Sequence, residues 1–372
     1  MNINSWLIDN LSFVTLSGSQ AYGMATSTSD VDIKGIVLAP KEVREHLFEK
    51  FSQTINNPLI EEKFSHLRNP LNPKLESTIY SLDKFFQLAA AVNPNIVELL
   101  WVAPEHILVK NRIGEEIYNN RHLFLSSRAR WAFQGYAHSQ AAKIERHKKW
   151  IVRGQIPEPI RSNYGLPDKQ PPLFGEVERS IKTQINLWDL NDLQLDPEKK
   201  ETIKDRVWEI ISSICNFKLN GGNWPTEYSK AVCHKITEDF SLNSDLANYL
   251  KREIQFKVDL QEYNNWLHWK ENRNKERKII EEKLGWDGKH MSHLIRLSRM
   301  GLEILEGKGV IVKRPDAEEL LSIRNGERTY ENLMLEFESI NSKIDNAYQN
   351  TKLPKSVDYS KINDFYQKLL NL

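Results

Sequence analysis

The chain has almost no cysteine: Cys215 and Cys233 are the two in 372 residues. That excludes a disulfide framework and any Cys-x-x-Cys metal knuckle, and reduced structural thiols are expected. Long apolar runs are missing too; none approaches the eighteen residues that would indicate a membrane-spanning helix. The N-terminus lacks the basic stretch and apolar core of a signal peptide, so a soluble, cytoplasmic protein is expected. Charge of one sign is also absent: 51 Lys and Arg face 50 Asp and Glu, a net +1. A uniformly basic nucleic-acid binder is therefore excluded, and any contact with nucleic acid has to come from a local patch. There are no repeats and no low-complexity tracts. The length leaves room for two or three domains.

What is present centres on residues 16–38. Phe13-Val14-Thr15-Leu16 is a short apolar run that predicts a buried strand, followed by Gly18-Ser19 as a small-residue turn. Ten residues after Ser19 comes Asp30-Val31-Asp32, leading into Ile33, Ile36 and Val37. On a strand, Asp30 and Asp32 project from one side and Val31 and Ile33 from the other. Two ionised carboxylates ~4 Å apart repel by about 4 kcal/mol at an effective dielectric of ~20. A hard divalent cation with oxygen ligands, such as Mg²⁺, relieves that repulsion. Gly18 allows close backbone approach to an anion, and Ser19 offers a hydroxyl and an N–H to phosphate. By itself Asp-x-Asp is equally a surface turn leading into a strand.

Further along, residues 4–10 predict a short helix and Pro40–Lys50 a surface helix. Residues 52–73 read as irregular, punctuated by Asn56-Asn57-Pro58, Asn69-Pro70 and Asn72-Pro73. Leu75–Tyr80 reads as a strand, and Glu76 is its only acid. A helix with Leu82, Phe85, Phe86 and Ala89 on one face follows, and Asn93-Pro94 opens another over Asn95–Val102. Beyond about residue 115 the pattern turns helical. Leu123–Trp150 carries Arg128, Arg130, Lys143, Arg146, Lys148 and Lys149, either a solvated face or an RNA-facing stripe. Residues 154–175 form a Pro/Gly-rich loop, and Gly221-Gly222-Asn223 breaks a run of amphipathic helices covering 176–220 and 226–284. Trp266-Leu267-His268-Trp269-Lys270 interleaves aromatics with bases, a pattern that core packing explains as well as RNA binding does. Gly309–Pro315 reads as extended, and the last forty residues as a helix and tail.

The combination of strand, Gly-Ser, ten residues, Asp-x-Asp and strand resembles the active-site signature of the DNA polymerase β-type nucleotidyltransferases. The resemblance extends to Gly18-Ser19-Gln20-Ala21-Tyr22-Gly23 with Ser29-Asp30-Val31-Asp32, and to Tyr80-Ser81-Leu82. Asn93-Pro94-Asn95, Gly135-Tyr136-Ala137, Tyr164-Gly165-Leu166-Pro167 and His293-Leu294-Ile295-Arg296 also belong to it, as does Ile323-Arg324-Asn325-Gly326-Glu327. Together these resemble the RNA-ligase-associated, RNA-repair branch of that superfamily. The resemblance implies an α+β fold: a small mixed sheet with helices, then a mostly α-helical region. The expected division is 1–115 catalytic, 116–340 helical with RNA or triphosphate contacts, and 341–372 a C-terminal helix and tail.

It further implies transfer of a nucleoside monophosphate from an NTP to an acceptor, with RNA (a tRNA or a broken end) expected, and an RNA ligase or other repair enzyme as partner. Asp30 and Asp32 would hold two Mg²⁺ ions (Mn²⁺ as a substitute) about 3.5–4 Å apart, with Glu76 as third carboxylate. Glu76 departs from the aspartate usual in the superfamily. Gly18 and Ser19 would grip the β- and γ-phosphates. Lys289, His293 and Arg296, near one face of a helix, are candidates to assist the leaving pyrophosphate. Two other classes share the signature: a protein- or tRNA-modifying transferase of toxin–antitoxin type, and a catalytically inactive nucleotide- or RNA-binding module. A covalent nucleotidyl ligase fits poorly, because Lys283 stands four residues before Asp287-Gly288 rather than two.

Overall fold

Alternating burial along Leu75–Ser81, with Leu75, Ser77, Ile79 and Ser81 inside and Glu76, Thr78 and Tyr80 partly exposed, is what a strand covered on one side requires. It is one of five in a mixed sheet: β1 (Leu11–Ser17), β2 (Val31–Val37), β3 (Gln53–Ile55), β4 (Leu75–Ser81) and β5 (Ile107–Lys110). Their order is β3-β4-β2-β1-β5. Strand β1 runs antiparallel to β2 and β5, β3 antiparallel to β4, and β2 parallel to β4. The computed structural model describes residues 6–168, 174–188, 190, 196–215, 244–273 and 275–372. The expectations for residues 4–5, Pro171, Pro172, the Gly221–Asn223 break, the helix over 226–243 and Cys233 lie outside the described residues.

The described residues divide into two compact units, one from the N-terminal part to Val152 together with Glu276–Leu372, the other Arg153–Lys275. In the first, the sheet lies between two apolar clusters. Leu7, Val14, Ile33, Val37, Ile60 and Ile79 belong to one; Phe13, Ile36, Phe85, Phe86 and Phe124 belong to the other. The short helices here are α1 (Gly18–Tyr22), α2 (Lys41–Arg44), α3 (Pro58–Lys63), α4 (Leu82–Ala90), α5 (Pro94–Val97) and α6 (Arg112–Asn119), and the long α7 spans Ala129–Arg153. Asparagine side chains cap α3, α5 and α6: Asn57, Asn93 and Asn111 each accept a first-turn N–H.

The second unit contains α8 (Phe174–Asn186), α9 (Pro197–Cys215) and α10 (Ser244–Asn272). Within it, Arg161 makes a bidentate pair with Glu253 at 2.7 and 2.8 Å, and Tyr164 donates to Asp259 at 2.7 Å. The Tyr164–Leu166 segment is thereby fixed to α10. Trp266 is buried there, with Lys270 over its ring, so the aromatic–basic interleaving includes core packing.

The chain then returns to the first unit with α11 (Lys275–Leu284), α12 (Gly288–Leu305), α13 (Ala317–Asn325), α14 (Tyr330–Asn350) and α15 (Tyr359–Leu370). Helix α12 is buried over much of its surface: Met291, Leu294, Ile295, Leu297, Met300 and Ile304 are inside, with Phe133 of α7 and Leu333 and Phe337 of α14 in the same core. Helix α15 packs Phe365 on Phe86 with ring centroids 5.7 Å apart, so the C-terminal residues help close the sheet's core.

Several local expectations change. Residues 6–10 form turns rather than a helix. The helix expected over Pro40–Lys50 is a single turn, because of its apolar positions only Val43 finds a core; Leu47 and Phe48 are 79% and 87% exposed. Gly18-Ser19 opens a helix instead of a turn. The stretch read as irregular holds β3 and α3, and the helix at Asn93-Pro94 passes at Glu98 into 3₁₀ geometry. Gly309–Pro315 pairs with no strand, although the Arg314 N–H reaches the Tyr22 carbonyl.

Phe133 is fully buried where α7, α12 and α14 meet. Phe133→Ala is expected to cost about 3–5 kcal/mol, read as a fall in the urea midpoint without a change in slope.

Candidate functional site

Strand pairing sets the centre of the site. Ser17 at the end of β1 lies opposite Asp32, and Asp32 lies opposite Glu76 across the parallel β2–β4 pair. Asp30 stands just before β2, at the end of a loop built to present it. The Ser29 hydroxyl accepts from the Thr26 N–H at 2.9 Å. Asn69 donates to the Ser27 and Ser29 carbonyls, and Asn72 to that of Thr28. The two Asn-Pro steps that looked like mere punctuation therefore hold the aspartate loop in place.

Gly18 turns the chain from β1 into α1 at φ 59°, in the left-handed region. A Cβ there would overlap Oδ2 of Asp32, so only glycine lets the turn and the carboxylate coexist. The hydroxyls of Ser17 and Ser19 are buried without a hydrogen-bond partner, and both residues line the cleft beside Asp32.

That cleft, about 270 Å³, is bordered by Gly18, Ser19, Asp30 and Asp32 on the sheet side and by Lys289, Ser292, His293 and Arg296 of α12 opposite. The structure thus gathers seven of the residues singled out in the sequence. Glu76 faces Asp32 from β4 but does not border the cleft, and Lys74 holds its carboxylate in an ion pair. Lys34, Asn95 and Arg324 also line the cleft and were not among the candidates. Strand alternation carried the signal for Lys34, two residues beyond Asp32. Asn95 and Arg324 lie inside Asn93-Pro94-Asn95 and Ile323-Arg324-Asn325-Gly326-Glu327, two of the motifs that carry the resemblance.

The electrostatics separate these groups. Burial, then Asp30 and Glu76, push the Asp32 carboxyl up to about 6, while Lys34 and Lys289 oppose the shift. A fold that crowds carboxylates in this way is suited to a divalent cation bound through oxygen, so the donor set fits Mg²⁺. Burial holds the Lys34 ammonium below the ordinary lysine value.

His293 is pushed down to about 2 by burial and by the charges of Arg296, His290 and Lys289. It is a neutral ring packed edge-on to Tyr136, with its buried Nε2 unpartnered, and so offers a hydrogen bond where a charge was expected. Arg296 is 3% exposed and donates to Glu98 at 2.8 Å, while the Tyr22 hydroxyl donates to the same carboxylate at 2.6 Å. Its guanidinium also stacks 3.7 Å from the centre of the Tyr22 ring. Arg296 therefore ties α12 to α1 and the Glu98 turn, beneath the cleft surface.

Comparison with known proteins places part of the chain beside a described family. Residues 7–153 match the family described as the RNA repair pathway DNA polymerase beta family. This segment is similar to that family. The RNA repair polymerase-β match spans the entire sheet, including Gly18, Ser19, Asp30, Asp32 and Glu76. The chain is also similar to an uncharacterized 38.9 kDa protein from the nrdC-mobD intergenic region of Enterobacteria phage T4. The two are 23% identical over 366 residues, which cover 95% of this chain and 94% of the phage protein. No solved structure matches. Among the described residues, no helix is long and apolar enough to cross a membrane.

Two outcomes follow. Because the folded value of Asp32 lies above its unfolded one, its ionisation opposes folding as pH rises from about 4 through about 6. In chelator, Asp32→Asn is expected to raise the melting temperature at pH 7.5 by about 2–4 °C, and the gain should vanish by about pH 4. Glu98→Ala leaves Arg296 buried without its carboxylate and is expected to cost about 3–5 kcal/mol in chemical denaturation.

Proposed function

We propose that this protein is a Mg²⁺-dependent nucleotidyltransferase that moves a nucleoside monophosphate from an NTP to an RNA acceptor during RNA repair or processing in the cytoplasm. One observation carries the reading: Asp30 and Asp32 line a cleft beside Gly18-Ser19 with Lys289 and Arg324, and Glu76 lies opposite Asp32 on the adjoining strand. The family's own description, which joins polymerase β to RNA repair, supports the same chemistry.

In this reading Asp30, Asp32 and Glu76 hold the metal. When bound, it supplies charge neutralisation at the α-phosphate and lowers the pKa of the attacking hydroxyl. The backbone and hydroxyls at Ser17–Ser19 receive the triphosphate oxygens, which accounts for two buried serine hydroxyls lacking protein partners. Lys34, Lys289 and Arg324 balance the charge that collects on the leaving pyrophosphate. The acceptor oxygen bonds to the α-phosphorus as the bond from that phosphorus to the bridging oxygen breaks. The hydroxyl proton passes to one of the carboxylates. His293, being neutral, contributes a directional hydrogen bond to base or ribose.

RNA as acceptor draws support from α7, where Lys143, Arg146 and Lys149 are exposed, as is Arg128 just before it. Lys143 is also close enough to depress the His293 pKa, which puts this basic side near the cleft. Other bases of the stripe are occupied within the protein: Arg130 pairs with Asp345, and Lys148 sits over the Tyr330 ring. An RNA ligase or another end-processing enzyme is the partner this chemistry calls for.

The test is incubation of the purified protein with each α-³²P-labelled NTP, Mg²⁺ and total RNA, beside an Asp30→Ala/Asp32→Ala variant. Label is expected in a discrete RNA band, reduced at least about 100-fold in the variant. Label on protein instead would point to the modifying-toxin class. NTP binding without any transfer would favour an inactive binding module.

A further inference from the structure

At the start of α12, a second cluster of side chains has a different donor chemistry from the carboxylates. Asp287 caps α12, with Oδ1 accepting the His290 N–H at 3.0 Å. Its other oxygen, Oδ2, lies 2.7 Å from Nδ1 of His290 and 3.1 Å from Nδ1 of His147 on α7. His147 and Asp287 are 140 residues apart in sequence, so nothing local imposes their meeting. The His147 ring is held by stacking on Trp150 at 5.4 Å and meets His290 edge-on at 5.2 Å. The histidine side chains keep 12% and 25% of their surface and Asp287 keeps 6%, so the group is sheltered yet reachable from solvent.

The carboxylate faces two imidazole nitrogens, and all three potential ligand atoms lie within 4.8 Å of one another. In a tetrahedral zinc centre, with bonds of about 2.0–2.1 Å, neighbouring ligand atoms stand about 3.3 Å apart. The observed 2.7 and 3.1 Å separations would open by about 0.6 and about 0.2 Å to reach that.

We propose that His147, Asp287 and His290 bind a Zn²⁺ ion, with water in the fourth position. Two imidazoles and one carboxylate suit zinc and disfavour Mg²⁺, which prefers oxygen donors. The chain would thus sort two metals by donor type: nitrogen-rich at this cluster, oxygen alone at Asp30, Asp32 and Glu76. On binding, the Nδ1 lone pair of each imidazole goes to the ion and its proton resides on Nε2, so the two hydrogen bonds to Oδ2 are exchanged for coordination. The role follows from position. The ion pins the first turn of α12 to α7, and that turn and the next carry Lys289 and His293 to the cleft.

The experiment uses the untagged full-length protein, stripped with chelator, reloaded with ZnCl₂ and desalted. Metal content is read by mass spectrometry, affinity by competition with a chromophoric chelator, and geometry by the visible spectrum of the Co²⁺-substituted protein. Zinc near stoichiometric with protein, a raised melting temperature and a tetrahedral cobalt spectrum are expected. His147→Ala and His290→Ala should each weaken zinc binding by at least about 10–100-fold, the loss that even outer-shell changes produce. Asp30→Ala/Asp32→Ala should retain its zinc, which separates this centre from the carboxylate site. His147→Gln keeps a hydrogen bond to Asp287 and gives the reading if His147→Ala does not fold. Failure of the wild type to retain zinc, or equal retention by His147→Gln and His290→Ala, would overturn the proposal.

Discussion

Carboxylates pressed together against their own repulsion are the constraint around which the first unit is built. The parallel register of β2 and β4 sets Asp32 across from Glu76, and the loop tied down by Asn69 and Asn72 brings up Asp30. Backbone pairing and the two apolar clusters flanking the sheet supply the stability that this crowding costs. Gly18 is part of the same constraint, because the β1–α1 turn passes so close to Asp32 that no side chain fits. Its consequence is a site in which negative charge is gathered at Asp32 and partly offset by Lys34 and Lys289.

The opposite wall is fixed with equal care. Helix α12 is held at its start by Asp287 with His147 and His290, and at mid-length by the Arg296–Glu98 pair. Past that, Arg299 joins Asp316, Glu319 and Glu336. Arg314 adds Glu303 and Asp316 to the same network. These partially buried ion pairs join α12, α13 and α14 at defined positions, and such support is what keeps a cleft's side chains within productive geometry. Arg296 illustrates the division of labour: it borders the cleft, but Glu98 and Tyr22 occupy its charge.

Much of this could be read in the linear chain where the signal was short-range. The strands around Phe13, Ile33 and Ile79 show it in their apolar alternation, and the Gly-Ser and Asp-x-Asp spacing marked the sheet side of the cleft. Helical spacing correctly put Lys289, His293 and Arg296 near one another on α12. What escaped was whatever depends on a distant surface. Ile107–Lys110 is too short an apolar run to declare itself a strand, and becomes β5 because β1 offers it an edge. Leu47 and Phe48 have helical spacing, but no core receives them. The terminal residues carry an amphipathic pattern that does not say α15 will seat Phe365 on Phe86.

The sequence by itself therefore determined the local chemistry: that an Asp-x-Asp leads into a strand, that Gly-Ser precedes it by ten residues, and that no single sign of charge dominates. Tertiary structure alone decided the state of each group. His293 is neutral because burial and neighbouring cations make it so, and Arg296 is engaged because Glu98, 198 residues away, lies against it. Protonation and pairing depend on the dielectric and charge around an atom, and those are set by residues that come near only when the chain has folded.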